Sequence, residues 1–125
     1  MKTTIEIRFS DEDSQQHVHH EAMVGYIAYA RVKYIDGLLE EFGLKETIDY
    51  VLVSMNMDFV TAIRYPGVVE IEAFPFAVGT RSFTTTYELN RAGVHFCDAE
   101  CVSVFFDIDS GATVDVPQQI RDLIE

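Results

Sequence analysis

Between Thr3 and Phe9 the side chains alternate, with Ile5, Ile7 and Phe9 on one side and Glu6 and Arg8 on the other, the period of two that marks a half-buried strand. The alternation stops in Ser10-Asp11-Glu12-Asp13-Ser14-Gln15-Gln16, a polar run rich in turn formers that predicts a loop. From about Glu21 to Phe42 there is no proline, and Val24, Ile27, Arg31, Tyr34, Ile35, Leu38 and Phe42 recur at helical spacing. That predicts one long helix, stopped by Gly43. Its first half, Ala22 to Ala30, is apolar on nearly every side, so it is expected to be enclosed by protein.

The remainder reads as strands. Met55, Met57 and Phe59 alternate with Ser54, Asn56 and Asp58, and Val69, Ile71 and Ala73 with Glu70 and Glu72, on either side of a Tyr65-Pro66-Gly67 turn. Phe83, Thr85, Tyr87 and Leu89 alternate with Thr84, Thr86 and Glu88, and beyond an Asn90-Arg91-Ala92-Gly93 turn a last run extends from Val94 to Ile108. Pro117 opens a short closing helix as its first residue. Strand, long helix, then four strands joined mostly by tight turns predicts an α+β domain spanning residues 1–125, with an antiparallel sheet of about five strands against one helix.

Composition narrows the function. Twenty-one acidic and nine basic side chains give a formal charge of −12, which repels nucleic acid and anionic membrane surfaces. The same charge obliges any site for a polyanion to gather its few cations locally. Cys97 and Cys101, the only cysteines, are about 13 Å apart if they share a strand, too far for a disulfide. With free thiols, no stretch long enough to span a bilayer and no apolar signal core at the start, the expected location is the reducing cytoplasm.

Between the first strand and the helix, the string from Arg8 to His20, RFSDEDSQQHVHH, resembles the opening motif R-[YF]-x-D-x-D-x-x-G-H-V-[NY]-[NH] of hotdog-fold acyl-CoA thioesterases in the 4-hydroxybenzoyl-CoA thioesterase-like family. Tyr26-Ile27-Ala28-Tyr29-Ala30-Arg31 is similar to that family's Y-[FL]-E-x-A-R, and Phe59-Val60, Arg64 to Gly67, Gly79 to Phe83, Val102 to Asp107 and Val116-Pro117 follow in its order. The resemblance implies a curved sheet wrapped around the long helix and a thioester hydrolase that needs no cofactor or metal. It also implies homodimers joined edge to edge, often paired into homotetramers, with sites formed between subunits.

It further implies that Asp13, the second acid of D-x-D, is the catalytic carboxylate. Thioester hydrolysis needs a nucleophile or a base for water, and an ionised carboxylate serves as either. Asp11 and Glu12 are close like charges expected to raise its pKa. His20 opens the helix, where free N–H groups and the helix dipole can hold a carbonyl oxygen as it becomes negative; its ring either polarises the carbonyl or packs on the helix. Gln16 and His17 are expected to contact substrate, as is Met23. Arg81 and Ser82 match the segment near the nucleotide end of coenzyme A in relatives, and Arg31, within an apolar helix, is expected to be a buried or interface ion-pair partner rather than a substrate ligand. The cluster of His17, His19 and His20 could also be read as zinc ligands, but it lacks a zinc spacing.

Three departures bear on this. Gln16 stands where the family usually carries glycine, which either narrows the site or adds an amide to it. Ala28 replaces a common Glu and Met23 a common aromatic, which suits a more apolar acyl group. The competing reading is a non-catalytic acyl-thioester binding protein of the same fold. A hotdog dehydratase is disfavoured because no proline lies near the histidines, and a purely structural interaction domain because the acidic triplet sits beside the helix start.

Overall fold

The computed structural model describes residues 1–125. In chain order it contains strand β1 (Lys2–Glu6), a 3-10 turn (Phe9–Asp11), helix α1 (His20–Glu41) and strands β2 (Ile48–Phe59), β3 (Val68–Val78), β4 (Ser82–Arg91) and β5 (Val94–Asp107). A four-residue helix α2 (Gln118–Arg121) follows. The strands form one antiparallel sheet in the order β1-β3-β4-β5-β2, curved around α1 in the hotdog arrangement. No helix is long and apolar enough to cross a membrane.

The inward face of the sheet follows the alternation. Phe83, Thr85, Tyr87 and Leu89 of β4 and Cys97, Ala99, Cys101, Ser103 and Phe105 of β5 are buried against α1, and each large side chain so placed stabilises by about 1.5–3 kcal/mol. The three hydroxyl-bearing residues in this layer are satisfied: Thr85 Oγ1 and Tyr87 Oη share a hydrogen bond of 2.7 Å, and Arg31 Nη1 donates to Ser103 Oγ at 3.3 Å. Arg31 therefore has no ion-pair partner within its own chain, so the buried form of the expected pair is absent. It reaches Ser103 and lies over the Tyr50 ring, whereas nearby Asp36 is taken by Lys45 and by the Tyr50 hydroxyl. Cys97 and Cys101 are buried free thiols on the same strand.

Several boundaries differ from the sequence pattern for identifiable reasons. β1 ends at Glu6 because the chain turns at Phe9–Asp11, which leaves Phe9 75% exposed against the Tyr65 ring rather than in the core. β2 begins at Ile48, earlier than the alternation shows, because a bulge between Leu52 and Ser54 puts its two halves out of phase. β3 likewise runs past Ala73 through an irregularity at Pro75–Ala77. The β4–β5 turn is only Ala92-Gly93, with φ of +50° and +80°, the pairing that a two-residue hairpin of matching twist requires. Pro117 caps α2 from outside instead of being its first residue.

Two surfaces remain open. One sheet covers only part of a helix, so Val24 (40% exposed) and Tyr29 (49%) face outward although the sequence predicts enclosure of that stretch. On the sheet's outer side one register row runs Lys2, Glu72, Glu88, Asp98, Asp58 across all five strands. Four carboxylates thus stand directly opposite one another, an arrangement that costs stability.

Candidate active site

The chain between β1 and α1 places two acids in opposite settings. Asp11 is 2% exposed. Its carboxylate accepts from the Tyr26 hydroxyl at 2.6 Å, the Arg8 backbone N–H at 2.9 Å and Arg8 Nη2 at 3.0 Å, while its carbonyl accepts from His19 N–H at 2.9 Å. Burial works to raise its pKa, but the hydrogen bonds from Tyr26 and Arg8 outweigh that and hold it below the usual value. Burial, together with the same contact, pushes the Tyr26 phenol well up.

Asp13 is exposed, at the start of a small hairpin closed by Asp13 N–H donating to the His17 carbonyl at 2.8 Å. Its Oδ1 accepts from the N–H groups of His17 (3.2 Å) and Gln15 (2.9 Å). The His17 N–H in particular, then that of Gln15, hold its pKa below the ordinary value. The expected upward shift from Asp11 and Glu12 is therefore overturned, because backbone donors bond the charged form directly. Gln16 sits in the same hairpin at φ +64°. A left-handed residue is what the hairpin needs there, which accounts for glycine at this place in the resembled motif and leaves Gln16 strained.

Beside this hairpin a cavity of about 310 Å³ opens at the start of α1, lined by Asp13, Gln15, His17, Val18, His19, His20 and Met23 and by Phe59 to Ala62 at the end of β2. His19 caps the helix, its Nδ1 accepting from Ala22 N–H at 3.0 Å. The N–H groups of His20 and Glu21 have no acceptor in the chain. The His20 ring packs on Phe59, centroids 4.5 Å apart, and Met23 is buried at the cavity floor. The three histidines diverge, one capping, one on Phe59 and one, His17, 3.5 Å from Arg64 Nη2, and no group of three or more potential ligands is arranged to hold a metal.

Of the residues singled out in the sequence, Asp13, His17, His20 and Met23 thus line one cavity, whereas Gln16 is not among its lining residues. Arg81 and Ser82 lie elsewhere. Ser82 is in register with Val104 and, through it, Val51, about 26 Å along β2 from Phe59. Arg81 is engaged by Thr113 (2.7 Å) and Asp115 (3.4 Å). Sequence reasoning missed Phe59 as a lining residue and the Arg8-Asp11-Tyr26 clamp, although all three clamp residues stand in the quoted motifs.

A larger cavity of about 600 Å³ lies on the far side of the loop, between β1 and α1. Size does not favour it as the reactive site: its one buried carboxylate is Asp11, whose oxygens are already held by Tyr26 and Arg8.

An exposed ionised acid and a free helix start on one cavity, in a strand-helix-strand frame, invite comparison with known proteins. The family model of the thioesterase-like superfamily matches residues 7–124. The chain belongs to that superfamily. No curated protein sequence matches it, but solved structures of the same fold do. The PA2801 protein of Pseudomonas aeruginosa superposes with a TM-score of 0.83 at 22% identity, covering 99% of this chain and 97% of that one. A gentisyl-coenzyme A thioesterase superposes at 0.82 with 15% identity over 100% of both chains. A 1,4-dihydroxy-2-naphthoyl-CoA thioesterase of Synechocystis does so at 0.77 with 14% identity, covering 98% and 93%. At such identities these likenesses speak for the fold, and the superfamily assignment rests on the family model.

Proposed function

We propose that this member of the thioesterase-like superfamily hydrolyses acyl-CoA thioesters, with Asp13 as the catalytic carboxylate. The observation that carries the reading is the pairing on one cavity of an exposed carboxylate, held ionised by two backbone donors, with the unbonded His20 N–H at the start of α1. A thioester carbonyl directed at the His20 N–H, at the positive end of the helix dipole, gains stabilisation as its oxygen becomes negative. Asp13 either attacks the carbonyl carbon or takes a proton from the water that does. By both routes the C–S bond breaks, the thiol leaves after gaining a proton, and water supplies the oxygen of the free acid.

The cavity is bounded on one side by the end of β2, an edge strand of 12 residues without a partner on its outer side. A long unpaired edge favours pairing with another chain. Joining two β2 edges across a two-fold axis sets the start of the partner strand beside the end of this one. Arg81 and Ser82 of each chain then belong to the other chain's site, at its coenzyme end. The open face of α1 around Val24 and Tyr29 offers a second contact by which dimers form homotetramers. Val18, Met23 and Phe59 favour an apolar or aromatic acyl group, in keeping with the aromatic acyl-CoAs in the names of two structural neighbours. The buried free thiols fit a reducing cytoplasm.

The test is thiol release from short, long and aromatic acyl-CoAs by the wild type and Asp13→Asn. Turnover by the first and not the second supports the assignment. Equal turnover removes Asp13 from the mechanism, and binding without turnover by the wild type selects the non-catalytic binding protein.

A further inference from the structure

In a chain of charge −12, most cations lie beside an acid: Lys2, Arg8, Lys45, Arg81 and Arg121 each have a carboxylate oxygen within 4 Å. Of the remaining four, Arg31 is turned under the helix onto Ser103 and Tyr50, and Lys33 lies over the Tyr29 ring. The other two, Arg64 and Arg91, meet at the Tyr65-Pro66-Gly67 turn beside the candidate active site.

They differ in what they do there. Arg91 donates from Nη1 to the Arg64 carbonyl and from Nη2 to the Pro66 carbonyl, both at 2.6 Å. It packs against Gly67, where a Cβ would lie 2.7 Å from its guanidinium carbon. Both its outer nitrogens thus hold the backbone that carries Arg64. The turn is tied from the other side by Val18 N–H donating to the Ile63 carbonyl at 2.7 Å. The Arg64 guanidinium is left exposed, and its one polar neighbour is the His17 ring, Nη2 to Nε2 at 3.5 Å. His17 lines the cavity, and its N–H holds Asp13.

We propose that Arg64 is a specificity-determining residue that binds an anionic oxygen group carried by the thioester substrate. The proposal rests on the thioesterase reading and adds to it a residue and a ligand chemistry. A guanidinium gives paired hydrogen bonds to a carboxylate or phosphate, and here it is fixed on a pinned turn, one histidine side chain from the catalytic carboxylate. The anionic group is either part of the acyl moiety, as a second carboxylate or a phenolate, or a phosphate of the carrier.

The experiment compares wild type, Arg64→Gln and Arg64→Lys on three substrates sharing one acyl length: a neutral acyl-CoA, the neutral acyl on phosphate-free N-acetylcysteamine, and a carboxylate-bearing acyl on N-acetylcysteamine. A charge-assisted contact predicts a loss in kcat/KM of about tenfold to a hundredfold in Arg64→Gln, mostly in KM and partly restored in Arg64→Lys. Loss confined to the CoA thioester identifies the carrier phosphates. Loss confined to the carboxylate-bearing acyl identifies the acyl group. Equal loss on all three substrates, or none, overturns the proposal. Calorimetric binding of non-hydrolysable thioether analogues of the same three compounds separates this result from failure of the thioesterase reading. Selective, Arg64-dependent binding upholds the subsite even if no thioester is turned over.

Discussion

Asp11 and Asp13 are two residues apart and chemically identical, yet the fold gives them opposite situations. Asp11 is buried, with one oxygen accepting from Tyr26 and the Arg8 N–H and the other from the Arg8 guanidinium, so both oxygens are engaged within the fold. Asp13 is exposed, with Oδ1 held by two backbone donors and Oδ2 without a partner in the chain. Both are kept ionised, the first to anchor the loop and the second, on our reading, to react. A low carboxylate pKa alone does not mark a catalytic group; the free lone pairs and the cavity in front of them do.

Substitutions at the two acids sharpen the contrast. Asp13→Asn is expected to lower thioester turnover by about 10²–10⁴-fold, the usual worth of a positioned acid-base group, while moving the urea midpoint little. In the wild type, kcat/KM should hold from neutral pH down past the ordinary aspartate pKa of about 3.9, because the backbone donors keep Asp13 ionised there. A pH–rate profile checks this. Asp11→Ala should do the reverse, costing about 3 kcal/mol in urea unfolding by stranding the groups that bonded it.

Tyr26→Phe removes one bond of the clamp and is expected to cost about 1.5 kcal/mol at pH 7. The sign of its pH dependence is fixed. Asp11 has a folded pKa below its unfolded value, so its stabilisation is present above the unfolded pKa and is lost as pH falls through the folded one. The gap between wild type and Tyr26→Phe should therefore close in acid, and urea midpoints at pH 7 and pH 2 would reveal a gap that persists. The smallest effect concerns the hairpin between the two acids. Gln16→Gly relieves the left-handed strain at φ +64° and should stabilise by up to about 1 kcal/mol with turnover unchanged, read by calorimetric melting.

The helix and the β4–β5 meander are legible in the sequence because their core-facing side chains recur at one period over most of their length. The first half of β2 is not, since the bulge after Leu52 reverses which face its side chains take. The open face of α1 is invisible to periodicity, which reports that a segment is helical without saying how much of it a single sheet can cover. In the site, the D-x-D spacing marks both acids but cannot tell which one turns inward. That depends on Tyr26, 15 residues on from Asp11, reaching back. Arg64 is harder still: it meets His17 across 47 residues of chain only because the loop after β2 folds back onto Val18.

The row of carboxylates on the outer face, Glu72, Glu88, Asp98 and Asp58, makes dissolved cations part of what sets the strength of this sheet. Adjacent strands bring opposed side chains to about 5 Å, inside the Debye length of about 10 Å at 0.1 M salt and beyond the 3 Å at 1 M. In dilute buffer the four acids repel across four of the five strands, and concentrated salt screens most of that repulsion. This outer face is thus expected to hold together better in brine than in fresh water, so that the medium as well as the fold sets the strength of the sheet.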